Sequence, residues 1–148
     1  MCSFSPETKY LFKSRQVIRK DYMLKLLQQL DEAMSKIQGK REKNDYEEAL
    51  KIARESYQQI LKLEYQEMGD LHHLVNEKKL EFGELNVIAE LLTEEADSLV
   101  QLDQKVTAMK KYNLAIDIFD YLNEVEKVFS FEREARMAYI MKQLKKLE

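Results

Sequence analysis

Three glycines and one proline are spread over the 148 residues of this chain, and no motif constrains its fold as much as their scarcity. At 4 of 148 they make up under 3% of the chain, against a usual share of about 12%. Sandwiches, barrels and glycine-rich phosphate loops turn the chain every few residues, and those turns need φ > 0 or fixed-φ positions. A chain this poor in such positions is predicted to be all-α, and its length suits one domain.

The net charge of −3 lacks the basic excess of a nucleic-acid binder, and no apolar run approaches the 18 or so residues of a membrane span. A soluble, cytoplasmic protein with no nucleic-acid partner is expected. The single Cys2 has no internal disulfide partner, in keeping with a reducing compartment. Charge is unevenly placed. Residues 1 to 25 hold Lys9, Lys13, Arg15, Arg19, Lys20 and Lys25 against Glu7 and Asp21, a balance of +4, so the remainder carries −7. A basic segment over residues 1–20 therefore leads a helical domain over 21–148.

Helical periodicity places the elements. Ser5-Pro6-Glu7 suits a helix start. From Asp21, Met23, Leu26, Leu27, Leu30, Met34 and Ile37 recur at helical spacing, and Gly39 stands where a residue just past the helix end belongs. Asn44 with Glu47 gives a capping signal for a second helix over about 45–65, with Tyr46, Ala49, Leu50, Ala53, Tyr57, Ile60 and Leu61 as its stripe. Gly69-Asp70 restarts the chain for a short helical stretch. Beyond Gly83 come 65 residues without glycine or proline, roughly 98 Å as one helix, so the chain must turn without the usual breakers. Leu85, Ile88, Ala89, Leu92, Ala96 and Leu99 define one helix, with Asp103 as cap for the next. Ala108, Tyr112, Ala115, Ile116, Phe119 and Leu122 define that next helix, and a last one is capped by Asn123 or Ser130.

Ala96, Ala108 and Ala115 mark where helices cross closely. Ala108, Tyr112, Ala115 and Ile116 stand at offsets 0, +4, +7 and +8, with Ala96 twelve residues before Ala108. This pattern resembles the tetratricopeptide repeat, a 34-residue helix-turn-helix unit, and the run from Asn44 to Leu50 resembles the start of the second helix of another unit. The resemblance implies antiparallel hairpins in a right-handed superhelix of five to seven helices. It implies one good unit at about 89–122 and a partial one around 21–63. Ala49 and Ala108 lie 59 residues apart, 25 more than one repeat, so an irregular insertion separates the units. Residues 21 to 30 followed by 44 to 49 are also similar to a family of small bacterial proteins with a TPR-like fold. That likeness covers about residues 21–146; it implies a fold and a bacterial source and carries no activity.

Catalytic and metal-binding signals are weak. His72 and His73, the only histidines, are adjacent and point about 100° apart on a helix, so they cannot chelate as an i, i+4 pair does. No HExxH, CxxC, GxSxG or Walker pattern occurs. Glu90, Glu94 and Asp97 share a helix face, but neither histidine follows a glutamate by three residues as di-metal bundles require. The reading is a non-enzyme with no cofactor and no metal, a metal-binding helical enzyme being the weakest alternative.

Acidity is nonetheless concentrated between Leu80 and Gln104, where seven acids face no lysine or arginine. In the register of the repeat it resembles, Glu90, Thr93, Asp97 and Gln101 fall at positions similar to those lining the concave groove of that superfamily. The expected function is a non-catalytic protein-interaction module that takes a protein or peptide partner of basic character in that groove. The bland alternative is an ordinary solvated face. A second alternative is a structural homo-oligomer: if the last helix does not cap the stack, Phe129, Phe131, Tyr139 and Ile140 are exposed and favour a homodimer. Residues 1–20 dock on the domain or on a second copy; an interfacial helix and a nucleic-acid contact are the other options.

Overall fold

The computed structural model describes residues 6–148, with side chains from residue 20 onward. Cys2 and the Ser5 cap lie outside the described residues, as do the side chains of Lys9, Lys13, Arg15 and Arg19. Among the described residues lie five α-helices: α1 (Pro6–Glu42), α2 (Tyr46–Leu61), α3 (Phe82–Gln101), α4 (Lys105–Glu126) and α5 (Phe131–Leu147). A short 3-10 turn (Tyr65–Glu67) and a π turn (His73–Glu77) interrupt the long link between α2 and α3. Among the described residues there is no strand, and the fold is all-α.

The helices end without glycine. Asn44, Lys62, Lys79, Asp103 and Lys127 all take the left-handed conformation, with φ between 53° and 61°. These are the breakers that composition hides, each costing about 1 kcal/mol relative to a glycine. Two expectations change as a result. Gly39 does not end a helix: α1 runs through it to Glu42, and Asn44 makes the turn. Asp103 does not cap α4, because its backbone is the left-handed residue that closes α3, and Gln104 precedes α4 instead. The second helix is capped one residue later than the Asn44 signal suggests: the Asp45 carboxylate accepts from the Glu48 amide. Ser130 starts α5, its hydroxyl accepting from the Arg133 amide.

α3 is the hub. It packs against α1, α2 and most extensively α4, and α4 in turn carries α5. Ala89 and Ala96 on α3, Ala108 and Ala115 on α4, and Ala49 and Ala53 on α2 are fully buried, so these helices approach at their small residues. Tyr57, Tyr112, Phe119, Leu85, Ile88, Leu92 and Leu99 fill the space between. An element enclosed on so many sides is expected to be apolar all round. α3 departs from this, because Thr93, Glu94, Glu95, Asp97 and Ser98 are buried too.

Candidate functional site

Buried carboxylates are rare unless paired, and those of α3 are paired on two faces. On the first, Arg41 from the end of α1 places Nη1 2.6 Å from Glu94 Oε2 and 3.4 Å from Asp97 Oδ2. Arg136 from α5 approaches from the other side, with Nη2 2.9 Å from Glu90 Oε2 and 3.6 Å from Glu94 Oε1. The Arg136 contacts are ionic, since no acceptor lies in line with its Nη2 or Nε hydrogens. Asp97 Oδ1 accepts from the hydroxyl of Tyr112 and, at 2.9 Å, from that of Tyr139.

On the second face Glu95 is fully buried. It accepts from Tyr57 OH at 2.5 Å, Tyr65 OH at 2.9 Å and Arg54 Nε at 3.3 Å. Lys111 from α4 donates to the Tyr65 hydroxyl and sits 4.7 Å above the same ring, with Arg54 5.4 Å from it. A cation over a ring face adds about 0.5–1 kcal/mol.

Burial dominates the electrostatics. It pushes Glu90 above the ordinary carboxylate value despite Arg136, and Glu94 and Asp97 above theirs despite Arg41. Burial next to Asp97 also raises Tyr112 strongly and Tyr139 to about 12. Burial works against the Arg41 charge, but Glu94 and Asp97 together hold it above its usual value.

The four residues expected to line a binding groove are thus not an open face. Thr93 is buried and donates to the Ala89 carbonyl at 2.8 Å; Asp97 is held by Arg41, Tyr112 and Tyr139, and Glu90 by Arg136. Glu90 is part-exposed, and Gln101 is exposed beside a shallow recess of about 410 Å³ with Gln38, Arg41, Glu42 and Tyr46. The arginines of α1 and α5 lie over the acidic stripe. The same contacts occupy the oxygens that a metal would need, and among the described residues no group of three or more His, Cys, Asp or Glu could hold one. His73 Nδ1 lies 2.7 Å from Glu77 Oε2 while His72 turns to Asn76.

Comparison with protein-family models, curated proteins and solved structures gave no match. No helix among the described residues is long and apolar enough to cross a membrane.

Among the described residues, exposed apolar side chains cluster at the turn between α4 and α5. Val128, Phe129 and Phe131 are 67%, 66% and 82% exposed, with Val125 beside them. The two phenylalanine rings pair edge to face at 4.7 Å and 88°. Of the four apolar residues considered for a homodimer only these two are exposed: Ile140 is buried, and Tyr139 is bound to Asp97. Around them, residues 120 to 134 hold five acids and two cations, and one of those cations, Arg133, is paired with Glu126 at 2.7 Å. Next to the turn opens a cleft of about 730 Å³, lined in part by Met23, Phe82, Glu126, Ser130, Glu132 and Arg133. The sequence points to Phe129 and Phe131 as exposed only for an uncapped last helix; both are exposed here, Phe129 in the turn and Phe131 at the first position of α5.

Proposed function

We propose that this chain is a non-catalytic protein-interaction module that receives a basic, apolar segment on the turn between α4 and α5. The observation that carries the reading is the Phe129–Phe131 pair, largely exposed inside an acidic stretch. With Val125 and Val128 it exposes on the order of 400 Å² of contiguous apolar surface, given usual aromatic side-chain areas. Singly exposed apolar residues need no explanation, whereas a contiguous patch of this size is within the roughly 300–600 Å² of a monomer's largest and is often functional. The surrounding carboxylates favour a cationic partner and oppose an acidic one. Catalysis has no part in the reading, since the clustered carboxylates of α3 are committed to arginines and tyrosines. The succession of hairpins α1–α2 and α3–α4 followed by α5 supports a TPR-like arrangement, in which a terminal helix keeps one uncovered face.

Fluorescence anisotropy with a labelled lysine-leucine helical peptide tests the proposal on dilute protein. Saturable binding in the micromolar range, about −8 kcal/mol at 1 μM, is expected, weakening with salt. The variant Phe129→Ser/Phe131→Ser should lose it while keeping its helical circular dichroism. A wild-type chain that ignores the peptide, or a variant that binds it equally well, removes the reading.

A further inference from the structure

Resting on the reading above, we infer that the segment received on the α4–α5 turn is supplied by a second copy of this chain: residues 6–20 of each copy dock on the turn of the other in a two-fold dimer. The chemistry of those residues matches the turn. They carry five cations against Glu7, together with Tyr10, Leu11, Phe12, Val17 and Ile18, whereas the turn is aromatic and acidic. Two such turns cannot face each other without juxtaposing their carboxylates, so turn-to-turn pairing is opposed where helix-to-turn pairing is favoured.

The backbone points the same way. α1 is unbroken from Pro6 to Glu42, while its first core side chains among the described residues are the partly buried Met23 and the buried Leu26. From Leu26 to Pro6 the helix axis runs about 30 Å, with no internal break to turn it. Phe129 and Phe131 stay exposed with α1 in place. Tyr10 and Val17 stand fourteen and seven residues before Leu24, one register position on the helix. Leu24 and Leu27 are themselves 52% and 50% exposed, so apolar surface is open on α1 at the register position that Val17 and Tyr10 share.

Closure of the pair follows from position. Met23 of α1 lines one cleft with Ser130, Glu132 and Arg133 at the start of α5, so α1 leaves the domain at the end where the turn lies. A two-fold axis at that end makes both contacts at once, giving a closed dimer and not an open filament.

Sedimentation equilibrium on the full chain is the test, with charge-swapped variants. The wild type should sediment at twice its 17.7 kDa mass. Phe129→Ser/Phe131→Ser, Lys9→Glu/Lys13→Glu/Arg15→Glu and Glu132→Lys/Glu134→Lys should each halve it. Mixing the last two variants pairs an acidic helix with a basic turn and a basic helix with an acidic turn, and should restore the doubled mass. A wild-type dimer that survives all three variants overturns the inference. A monomeric wild type that still binds the lysine-leucine peptide also overturns it and leaves the proposed function standing, whereas a monomer that binds no peptide overturns both.

Discussion

Arg41 Nη1 lies 2.6 Å from Glu94 Oε2, and this contact ties the last turns of α1 to the middle of the hub helix across 53 residues of sequence. Glu94 is 2% exposed while Arg41 keeps about a quarter of its side chain in solvent, so the acid has far more to lose than its partner.

Arg41→Ala should therefore cost about 2–3 kcal/mol in urea unfolding, below the ~3–5 kcal/mol of a fully buried pair, because Arg136 remains as a second cation. Arg136→Ala should cost less, since its nearer contact is the part-exposed Glu90 and Glu94 lies 3.6 Å away. The double variant Arg41→Met/Glu94→Gln should recover part of the loss, since Glu94 no longer carries a buried charge while Asp97 keeps its two tyrosine hydrogen bonds but loses Arg41. Equal losses for Arg41→Ala and Arg136→Ala would contradict this ranking.

The raised carboxylates set an unusual pH profile. An acid whose folded value lies above its unfolded one makes the folded chain bind more protons between the two, so stability falls as pH rises through that window. For Glu90, Glu94 and Asp97, all raised by burial, the window opens at the ordinary values of 4.5 and 3.8 and extends upward. Acidification from pH 7 to pH 5 should hold or raise the melting temperature, and Glu94→Gln should flatten the dependence. At the alkaline end, Tyr22 and Tyr139 keep their protons to about 12 in the fold, against 10 when unfolded. Stability should fall as pH rises above 10, less steeply in Tyr139→Phe. A melting temperature several degrees lower at pH 5 than at pH 7 would count against the acid half of the prediction.

Periodicity made the stripes legible: Ala49, Ala53, Tyr57, Ile60 and Leu61 on α2, and Ala108, Tyr112, Ala115, Phe119 and Leu122 on α4, are all buried. The shortage of glycine correctly indicated an all-α chain. Spacing along one helix tells which residues share a face, but not which other helix covers that face. Glu90, Glu94 and Asp97 therefore read as a solvated stripe, although Arg41 and Arg136 come from distant segments to cover it. Turns were equally hidden, since a lysine in the left-handed region has the same letter as a lysine on a surface. Lys62 and Lys127 end their helices with no local signal.

Those turns can be tested by exchanging glycine and non-glycine positions. Gly39 lies inside α1, and a Cβ there would meet nothing within 4 Å. Gly39→Ala should stabilise the chain by about 0.5–1 kcal/mol, the ordinary helix preference. Lys62 and Lys127 are exposed with φ of 57° and 53°, and Lys62→Gly or Lys127→Gly should add about 0.5–1 kcal/mol each by removing Cβ strain. Gly69→Ala should do the reverse, because φ is +60° and the new Cβ would press on the His73 ring at 2.8 Å. Denaturant midpoints check all four, and a destabilised Gly39→Ala would mean that α1 does not run through that position.

Gly83 opens α3 for a different reason. Its φ is not left-handed; what it permits is the close approach of Met23 from α1, whose methyl group occupies the space a Cβ would need. Gly83→Ala forces the methionine to move, and overpacking of this kind costs about 1–3 kcal/mol. The obstacle is the flexible end of a side chain, so the loss should sit at the low end of that range. Met23→Ala alone should also destabilise, through the lost apolar contact. The double variant Met23→Ala/Gly83→Ala should then be more stable than the sum of the two losses allows, by about 1 kcal/mol in a double-mutant cycle. Strict additivity in urea unfolding would show that α1 and α3 do not meet at these residues, and would place the mouth of the cleft beside the α4–α5 turn elsewhere.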